Sequence, residues 1–181
     1  NLSDSLILEA IRGLNDRYSG SLGASQDSKI RFCLAVRDPK GKFTTGINRV
    51  DGRVVPGFET YGMAMFSGQP GGKEKSVKDL CKWPVTDYYN IWIVHNIVNF
   101  AGYAHFPGTT AYPYDGAAVT ARNIGYFNPI LTHEVGHGLN LYHVFEQTYN
   151  SCPGTTNCAK TDDRVCDTPP SVDLGTGLCQ P

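Results

Sequence analysis

Apolar positions near the N-terminus recur with the period of an amphipathic helix. They lie at positions 6, 7, 10, 11 and 14, so they share one face of a helix. Ser3 and Asp4 precede this pattern, and both residue types are good N-caps. We therefore predict a helix over residues 3–18.

Three later runs have the length and composition of β-strands. Residues 29–37 end at an Asp-Pro-Lys-Gly turn, and residues 102–106 form a shorter run. Residues 89–95 form an apolar run of the kind found in strands that are buried on both faces. Residues 49–75 are Gly-rich and expected to be mostly irregular, and residues 75–81 could form a short helix. This mixture of helices and strands predicts an α+β fold.

The run His-Glu-Val-Gly-His-Gly-Leu-Asn-Leu-Tyr-His at residues 133–143 carries the strongest chemical signal. His133 and His137 are four residues apart, so on a helix they share one face and can bind one metal ion. His143 can supply a third nitrogen once the chain turns back. Three imidazoles and one open position are typical of a catalytic zinc site, because structural sites are usually closed by four protein ligands.

The residues around this run predict where its helix begins and ends. Asn128 is a good N-cap, and Pro129 suits the first helical position. Asn140 tolerates the left-handed conformation in which the chain can turn after the helix. The alternative is an amphipathic helix whose histidines are only solvated or hydrogen-bonded. A chance His-Glu-x-x-His is expected in a chain of this length at roughly the two per cent level.

Composition narrows the class of protein. The 181 residues and 40% hydrophobic content fit one domain with a real core. A net charge of −1 and a pI near 6.6 give no reason to expect nucleic acid or anionic membrane as a partner. No apolar run is long enough to span a membrane. Six cysteines indicate an oxidising compartment, so we expect a secreted, extracellular protein.

The zinc motif, together with Asp-Arg-Val-Cys-Asp-Thr-Pro at residues 163–169, resembles the pappalysin family of metzincin zinc metallopeptidases. Segments that begin at Ile30, Asn90 and Gly102 are similar to the family's first, central and edge strands, so nearly the whole chain is covered. This resemblance implies a metzincin-like zincin. Its twisted mixed sheet lies over an active-site helix, and its C-terminal tail is irregular and disulfide-rich.

The resemblance also implies a domain plan. We expect one catalytic domain over residues 1–181, with an N-terminal subdomain over 1–143 and the start of a C-terminal subdomain over 144–181. Metzincins have a Met-containing turn after the third histidine, but the only methionines here are Met63 and Met65. The sequence is a fragment, a cleaved form or an unusual member of the family, and we favour a fragment. The family implies a signal and a pro-segment in the precursor.

Two further sites are implied by the resemblance. The family's edge strand pairs antiparallel with extended substrate, which marks Gly102, Tyr103, Ala104 and His105 as residues that bind a protein or peptide substrate. The family's Asp-x-Val-x-Asp-Thr-Pro segment binds structural calcium. The candidate calcium ligands in this chain are Asp163, the Val165 carbonyl, Asp167 and Thr168. From composition alone, a solvated acidic loop is the preferred interpretation of that segment.

The cysteines are expected to form disulfides, because Cys158 and Cys166 lack the Cys-x-x-Cys spacing of a zinc ribbon. Six cysteines allow fifteen pairings in principle. The family's arrangement implies a bond between Cys152 and Cys179. Parity and proximity then suggest Cys158 with Cys166, and Cys33 with Cys81.

Two functions follow from these features. The first is a secreted zinc endopeptidase that binds one zinc through the three histidines and hydrolyses peptide bonds with a water activated by zinc and Glu134. The alternative is an inactive, metal-stabilised binding module that keeps the fold without turnover. The intact zinc motif favours the first function, and the absence of a Met-turn favours the second.

Overall fold

The computed structural model describes residues 2–22, 26–109, 112–146, 158–160, 162–168 and 171. The chain divides into two compact units, Asn1–Gly138 and Leu139–Pro181. In the described residues the helices are α1 (Asp4–Tyr18), α2 (Phe58–Tyr61), α3 (Glu74–Lys78) and α4 (Ile130–Gly138). The strands are β1 (Met63–Ala64), β2 (Gly72–Lys73), β3 (Ile91–Val94), β4 (Gly102–His105) and β5 (Gly116–Thr120).

Helix α1 forms where the apolar period predicts it. The Ser3 hydroxyl caps it by accepting from the backbone N–H of Leu6 at 3.2 Å, and Ala10 and Leu14 are buried. Its Asn15 side chain accepts from the N–H of Phe32 at 2.7 Å and donates to the carbonyl of the same residue at 2.8 Å. A helix side chain thus satisfies backbone groups that a strand would have paired.

The strand predicted over residues 29–37 is therefore wrong. Residues 29–35 belong to no strand, and only Arg37 forms an isolated bridge, to Phe43. The short helix predicted over residues 75–81 is confirmed by α3, which begins one residue earlier. The α+β class is confirmed as well.

Strands β3, β5 and β4 form one mixed sheet in that order. Strand β5 pairs in parallel with β3 and antiparallel with β4. The segment similar to the family's central strand is β3, yet β5 lies in the middle of this ladder. All five residues of β5 are buried, because helices and loops cover both faces of the sheet.

Two apolar clusters lie on opposite faces of this sheet, because neighbouring residues of a strand point to opposite faces. Ala118 of β5 belongs to one cluster and Val119 to the other. The first cluster also contains Val55, Met63, Val77, Trp92, Val94, Ile97 and Tyr103. The second also contains Ala10, Leu14, Ile124, Leu131 and Val135, so it joins α1 and α4 to the sheet.

The cysteines are only partly arranged as expected. The bond between Cys158 and Cys166 is present, with their Cα atoms 4.9 Å apart. The expected bond between Cys33 and Cys81 is wrong, because both thiols are free. Cys81 packs against the first cluster, whereas Phe32, the neighbour of Cys33, packs against the second, on the other face of the sheet. The expected pair at positions 152 and 179 lies outside the described residues.

Across the part of the chain that the structure describes, no helix is both long enough and apolar enough to cross a membrane.

Gly62 offers a direct check on the packing beside the first cluster. It has φ +85°, and a Cβ there would lie 2.2 Å from the carbonyl oxygen of Asn96, which accepts from the N–H of Met63. We expect Gly62→Ala to lower the free energy of unfolding by at least ~3 kcal/mol, through left-handed strain plus this backbone overlap.

Gly68→Ala is the matched control for denaturant unfolding. Gly68 has the same φ of +85° but nothing within 4 Å of a Cβ. Strain alone should cost about 1 kcal/mol there. Equal losses for the two variants would contradict the packing described at Gly62.

Candidate active site

Helix α4 carries the first part of the zinc motif. The Asn128 side chain accepts from the backbone N–H of Ile130 at 3.0 Å, as a capping residue does. Leu131 and Val135 anchor the buried face of the helix in the second cluster. Asn140 follows the helix with φ 71°, the left-handed conformation that the sequence predicts there.

His133 and His137 project from α4 side by side. Their Nε2 atoms are 3.1 Å apart, and their rings lie edge to face with centroids 4.7 Å apart. Two nitrogens bound to one tetrahedral zinc at 2.0–2.1 Å would be separated by about 3.3–3.4 Å. Two neutral imidazoles at nearly this separation fit a shared zinc ion.

His143 belongs to the second unit, which spans Leu139–Pro181. Its ring stacks on Phe145 with centroids 4.8 Å apart, and its Nδ1 lies 3.4 Å from a carboxylate oxygen of Glu146. A carboxylate beside one ring nitrogen can fix the orientation of an imidazole that binds metal through the other nitrogen. The role of His143 as a third ligand stays a prediction.

Glu134 lies between the two helix histidines in sequence but points into the protein. Only 7% of it is exposed. Burial raises the pKa of its carboxyl to about 7. A positive charge close to the carboxylate would favour the ionised form and lower this pKa again. In the absence of such a charge, burial makes the Glu134 carboxylate more basic than a solvent-exposed glutamate.

Gly102, the first residue of β4, lets this strand approach Glu134. A Cβ at Gly102 would lie 3.0 Å from both Cγ and Oε1 of Glu134, and equally close to the side chain of Ile130. The sequence marks Gly102 only as part of the edge strand. The need for a glycine beside the Glu134 carboxylate is apparent only from the folded structure.

Strand β4 has the placement expected of an edge strand. Among the described strands it pairs only with β5, so its other side has no ladder partner there. Gly102 and Ala104 share the face toward α4, whereas Tyr103 and His105 share the opposite face. The assignment of these four residues to substrate binding stays a prediction.

Sequence reasoning missed a buried charge below β4. Glu74 and Lys78 of α3 form an ion pair of 2.7 Å, and their side chains are only 13% and 0% exposed. The Glu74 Oε1 atom also accepts from the hydroxyl of Tyr103 at 2.8 Å and lies 2.6 Å from Nε2 of His105. An i,i+4 pair of opposite charges usually indicates a solvated helix face, so the burial of this pair could not be predicted from the sequence.

The candidate calcium segment shows turn hydrogen bonds. Asp163 accepts from the N–H of Val165 at 2.9 Å, and the Val165 carbonyl accepts from the N–H of Thr168 at 3.3 Å. Asp167 is exposed, whereas the neighbouring Asp162 is only 8% exposed. These oxygens are of the type that calcium prefers. The calcium site itself stays a prediction.

Comparison with known families agrees with this geometry. The model of peptidase family M43, described as pregnancy-associated plasma protein-A, matches residues 71–179. The match covers more than half of the chain and includes β3, β4, β5 and α4. The chain therefore belongs to this pappalysin family of zinc metallopeptidases.

Two fungal relatives are named extracellular metalloproteases. The one from Verticillium alfalfae is 34% identical over 92 residues, which cover 44% of this chain and 29% of that protein. The one from Podospora anserina is 28% identical over 129 residues, which cover 63% of this chain and 40% of that protein. The chain thus spans well under half the length of these relatives.

Solved structures of mirolysin share the fold. Mature mirolysin from Tannerella forsythia, in complex with a cleaved peptide, matches with a TM-score of 0.65 and 28% identity. That match covers 93% of this chain and 65% of mirolysin. Mirolysin in complex with a small compound matches with a TM-score of 0.63 and 29% identity, over 86% of this chain and 63% of that one.

Gly102→Ala tests the close approach of β4 to the Glu134 carboxylate. Since the added Cβ would meet Glu134 and Ile130 at 3.0 Å, the carboxylate must shift by a few tenths of an ångström. Because the sequence motif predicts an acid–base role for Glu134, this shift should lower kcat for peptide hydrolysis by about tenfold or more. Zinc content and the unfolding midpoint, measured on the same samples, should change little. A kcat equal to that of wild type would show that Gly102 does not set the position of Glu134.

Proposed function

We propose that the protein is a secreted zinc-dependent endopeptidase. The observation that carries this proposal is the pair of imidazoles in α4, whose Nε2 atoms lie 3.1 Å apart, on the same helix as Glu134, which is only 7% exposed. His133, His137 and His143 would hold one zinc ion. Secretion is supported by the names of the fungal relatives and by the disulfide between Cys158 and Cys166.

Zinc, when bound, polarises a carbonyl oxygen and lowers the pKa of a water to roughly 7. Glu134 then accepts a proton from the attacking water and returns it to the leaving amine. Burial of Glu134 supports this role, because it raises the pKa of the carboxyl and so makes the carboxylate a stronger base than an exposed one. His133 and His137 remain neutral, since an imidazole binds metal through an unprotonated nitrogen.

The substrate is proposed to be an extended protein or peptide segment that adds to the open side of β4. Main-chain hydrogen bonds along such a strand give affinity that depends little on sequence. Gly102, Tyr103, Ala104 and His105 would line this contact. Mirolysin, which shares the fold, has been solved with a cleaved peptide, and its pro-form is also among the similar structures. We extend the pro-segment to the precursor of this protein as part of the proposal.

Glu134→Gln tests the catalytic assignment. The amide keeps the shape of the side chain but cannot accept the proton, so hydrolysis of an unfolded protein substrate should fall by at least about a hundredfold. Zinc binding should be retained, because Glu134 is not a proposed ligand. Turnover and zinc content of the same preparation are the two measurements.

Glu9→Gln, on the exposed face of α1, is the matched control and should leave turnover unchanged. If Glu134→Gln hydrolysed the substrate at the wild-type rate, Glu134 would have no part in the mechanism. If the zinc-loaded wild type cleaved nothing, the proposed endopeptidase function would be wrong, and the alternative of an inactive binding module would be preferred.

We also propose a structural calcium ion at Asp163, the Val165 carbonyl, Asp167 and Thr168. An ion that binds only the folded state stabilises it by about 2.7 kcal/mol at a hundredfold excess over Kd. Asp167→Ala should therefore lower the melting temperature in millimolar calcium and flatten its dependence on calcium. Asp87→Ala, at an exposed aspartate of the first unit, should keep that dependence. A wild-type melting temperature that is the same with and without calcium, in zinc-replete buffer, would contradict the calcium site and favour the interpretation of this segment as a solvated acidic loop.

A further inference from the structure

A fully buried ammonium group anchors helix α3 below the sheet. The Lys78 side chain is 0% exposed, and its Nζ donates to the carbonyl of Tyr114 at 2.9 Å. The same Nζ lies 4.5 Å from the ring centre of Trp92 and 5.0 Å from that of Tyr103. Burial lowers the pKa of Lys78, but the adjacent Glu74 opposes this change. A desolvated cation of this kind requires its anion to stay in place.

Glu74 is that anion, and it is ionised at every working pH. Burial raises the pKa of its carboxyl, but hydrogen bonds from His105 and Lys78 outweigh this effect and hold the pKa at about 2. Hydrogen bonds to an ionised acceptor are roughly twice as strong as bonds between neutral groups. The Oε1 atom of Glu74 therefore makes strong contacts with all three of its neighbours, Lys78, Tyr103 and His105.

Two of those three neighbours belong to β4. Tyr103 and His105 are two residues apart, so they point to the same face, and one oxygen of Glu74 contacts both at 2.8 and 2.6 Å. Gly102 meets Glu134 on the other face. Because β4 has a ladder partner on only one side in the described chain, these contacts supply the restraint that a second neighbouring strand would otherwise give.

We propose that Glu74 is a positioning residue, which fixes β4 for main-chain pairing with a peptide while Glu134 acts on the opposite face of the strand. The inference rests on the proposed endopeptidase function and adds a residue that contacts neither zinc nor substrate. A peptide that binds a fixed strand does not have to order that strand first, so Glu74 contributes mainly to affinity.

Glu74→Gln is the principal test, because it keeps an acceptor oxygen and removes the charge. Hydrogen exchange of the β4 amides should accelerate by about tenfold or more. KM for a peptide should rise about tenfold while kcat changes far less, since the loss falls on binding. Exchange in α1 reports on global stability and should change less than exchange in β4.

A second variant separates positioning from burial of charge, because Glu74→Gln alone leaves Lys78 buried without its anion. Glu74→Gln combined with Lys78→Met removes both charges and should restore the melting temperature. Fast exchange in β4 and the raised KM should persist. Asp51→Asn is the matched control, since it neutralises an exposed ion pair with Arg53 and keeps the oxygen that caps the adjacent turn.

Each outcome decides the proposal. Wild-type exchange in β4 of Glu74→Gln, or an unchanged KM, would overturn it. The same holds if the double variant recovers KM together with stability, because Glu74 would then serve only to neutralise Lys78. A wild-type protein without hydrolytic activity would refute the proposed function alone, since the exchange comparison needs no turnover and would still decide whether Glu74 fixes β4.

Discussion

Strand β4 lies close to a buried carboxylate, and in the proposed endopeptidase one side of it must also stay open to a peptide. Gly102 meets the first requirement, since any larger residue would press on Glu134. The second requirement leaves β4 with hydrogen bonds to β5 alone among the described strands. Contacts from Glu74 to Tyr103 and His105 compensate from the face below. The position of the strand is therefore set by three elements at once: β5, α3 and α4.

The same arrangement determines the chemistry of Glu134. Glu134 is largely buried, with Gly102 of β4 close to its carboxylate, and this burial raises its pKa to about 7. In the proposed mechanism the zinc ion would partly offset that effect, because a nearby cation favours the ionised form. The raised pKa of Glu134 is thus a consequence of packing rather than of the motif's residue spacing. The Glu74 carboxyl, also buried, has a pKa of about 2 because hydrogen bonds from His105 and Lys78 outweigh the effect of burial.

Local patterns predicted the elements whose signal lies within a few residues. The apolar period predicted α1, and the Asn128 cap and Asn140 turn predicted the limits of α4. Strand β5 gave no such signal, since Gly116-Ala-Ala is not a strongly β-forming sequence and its burial depends on both neighbouring strands. The strand predicted near Phe32 is absent for a comparable reason, because the side chain of Asn15 hydrogen-bonds to the backbone N–H and carbonyl of Phe32.

The candidate site shows the same contrast between features set by local sequence and features set by long-range contacts. Spacing alone brought His133, His137 and Glu134 together, because a single helix fixes their relation. The contacts of Glu74 join residues about thirty positions apart, and a pair of opposite charges on a short helix does not reveal that it is buried. The wrong pairing of Cys33 with Cys81 likewise followed from parity and proximity along the chain, which carry no information about the two faces of a sheet.

Zinc titration into metal-free protein, with bound zinc and cleavage of an unfolded protein recorded together, tests the central claim most directly. If three histidines hold one zinc ion that activates the attacking water, cleavage should rise in proportion to bound zinc and level off at one ion per chain. Cleavage at the full rate before zinc is added, or a zinc-saturated protein that cleaves nothing, would contradict the account.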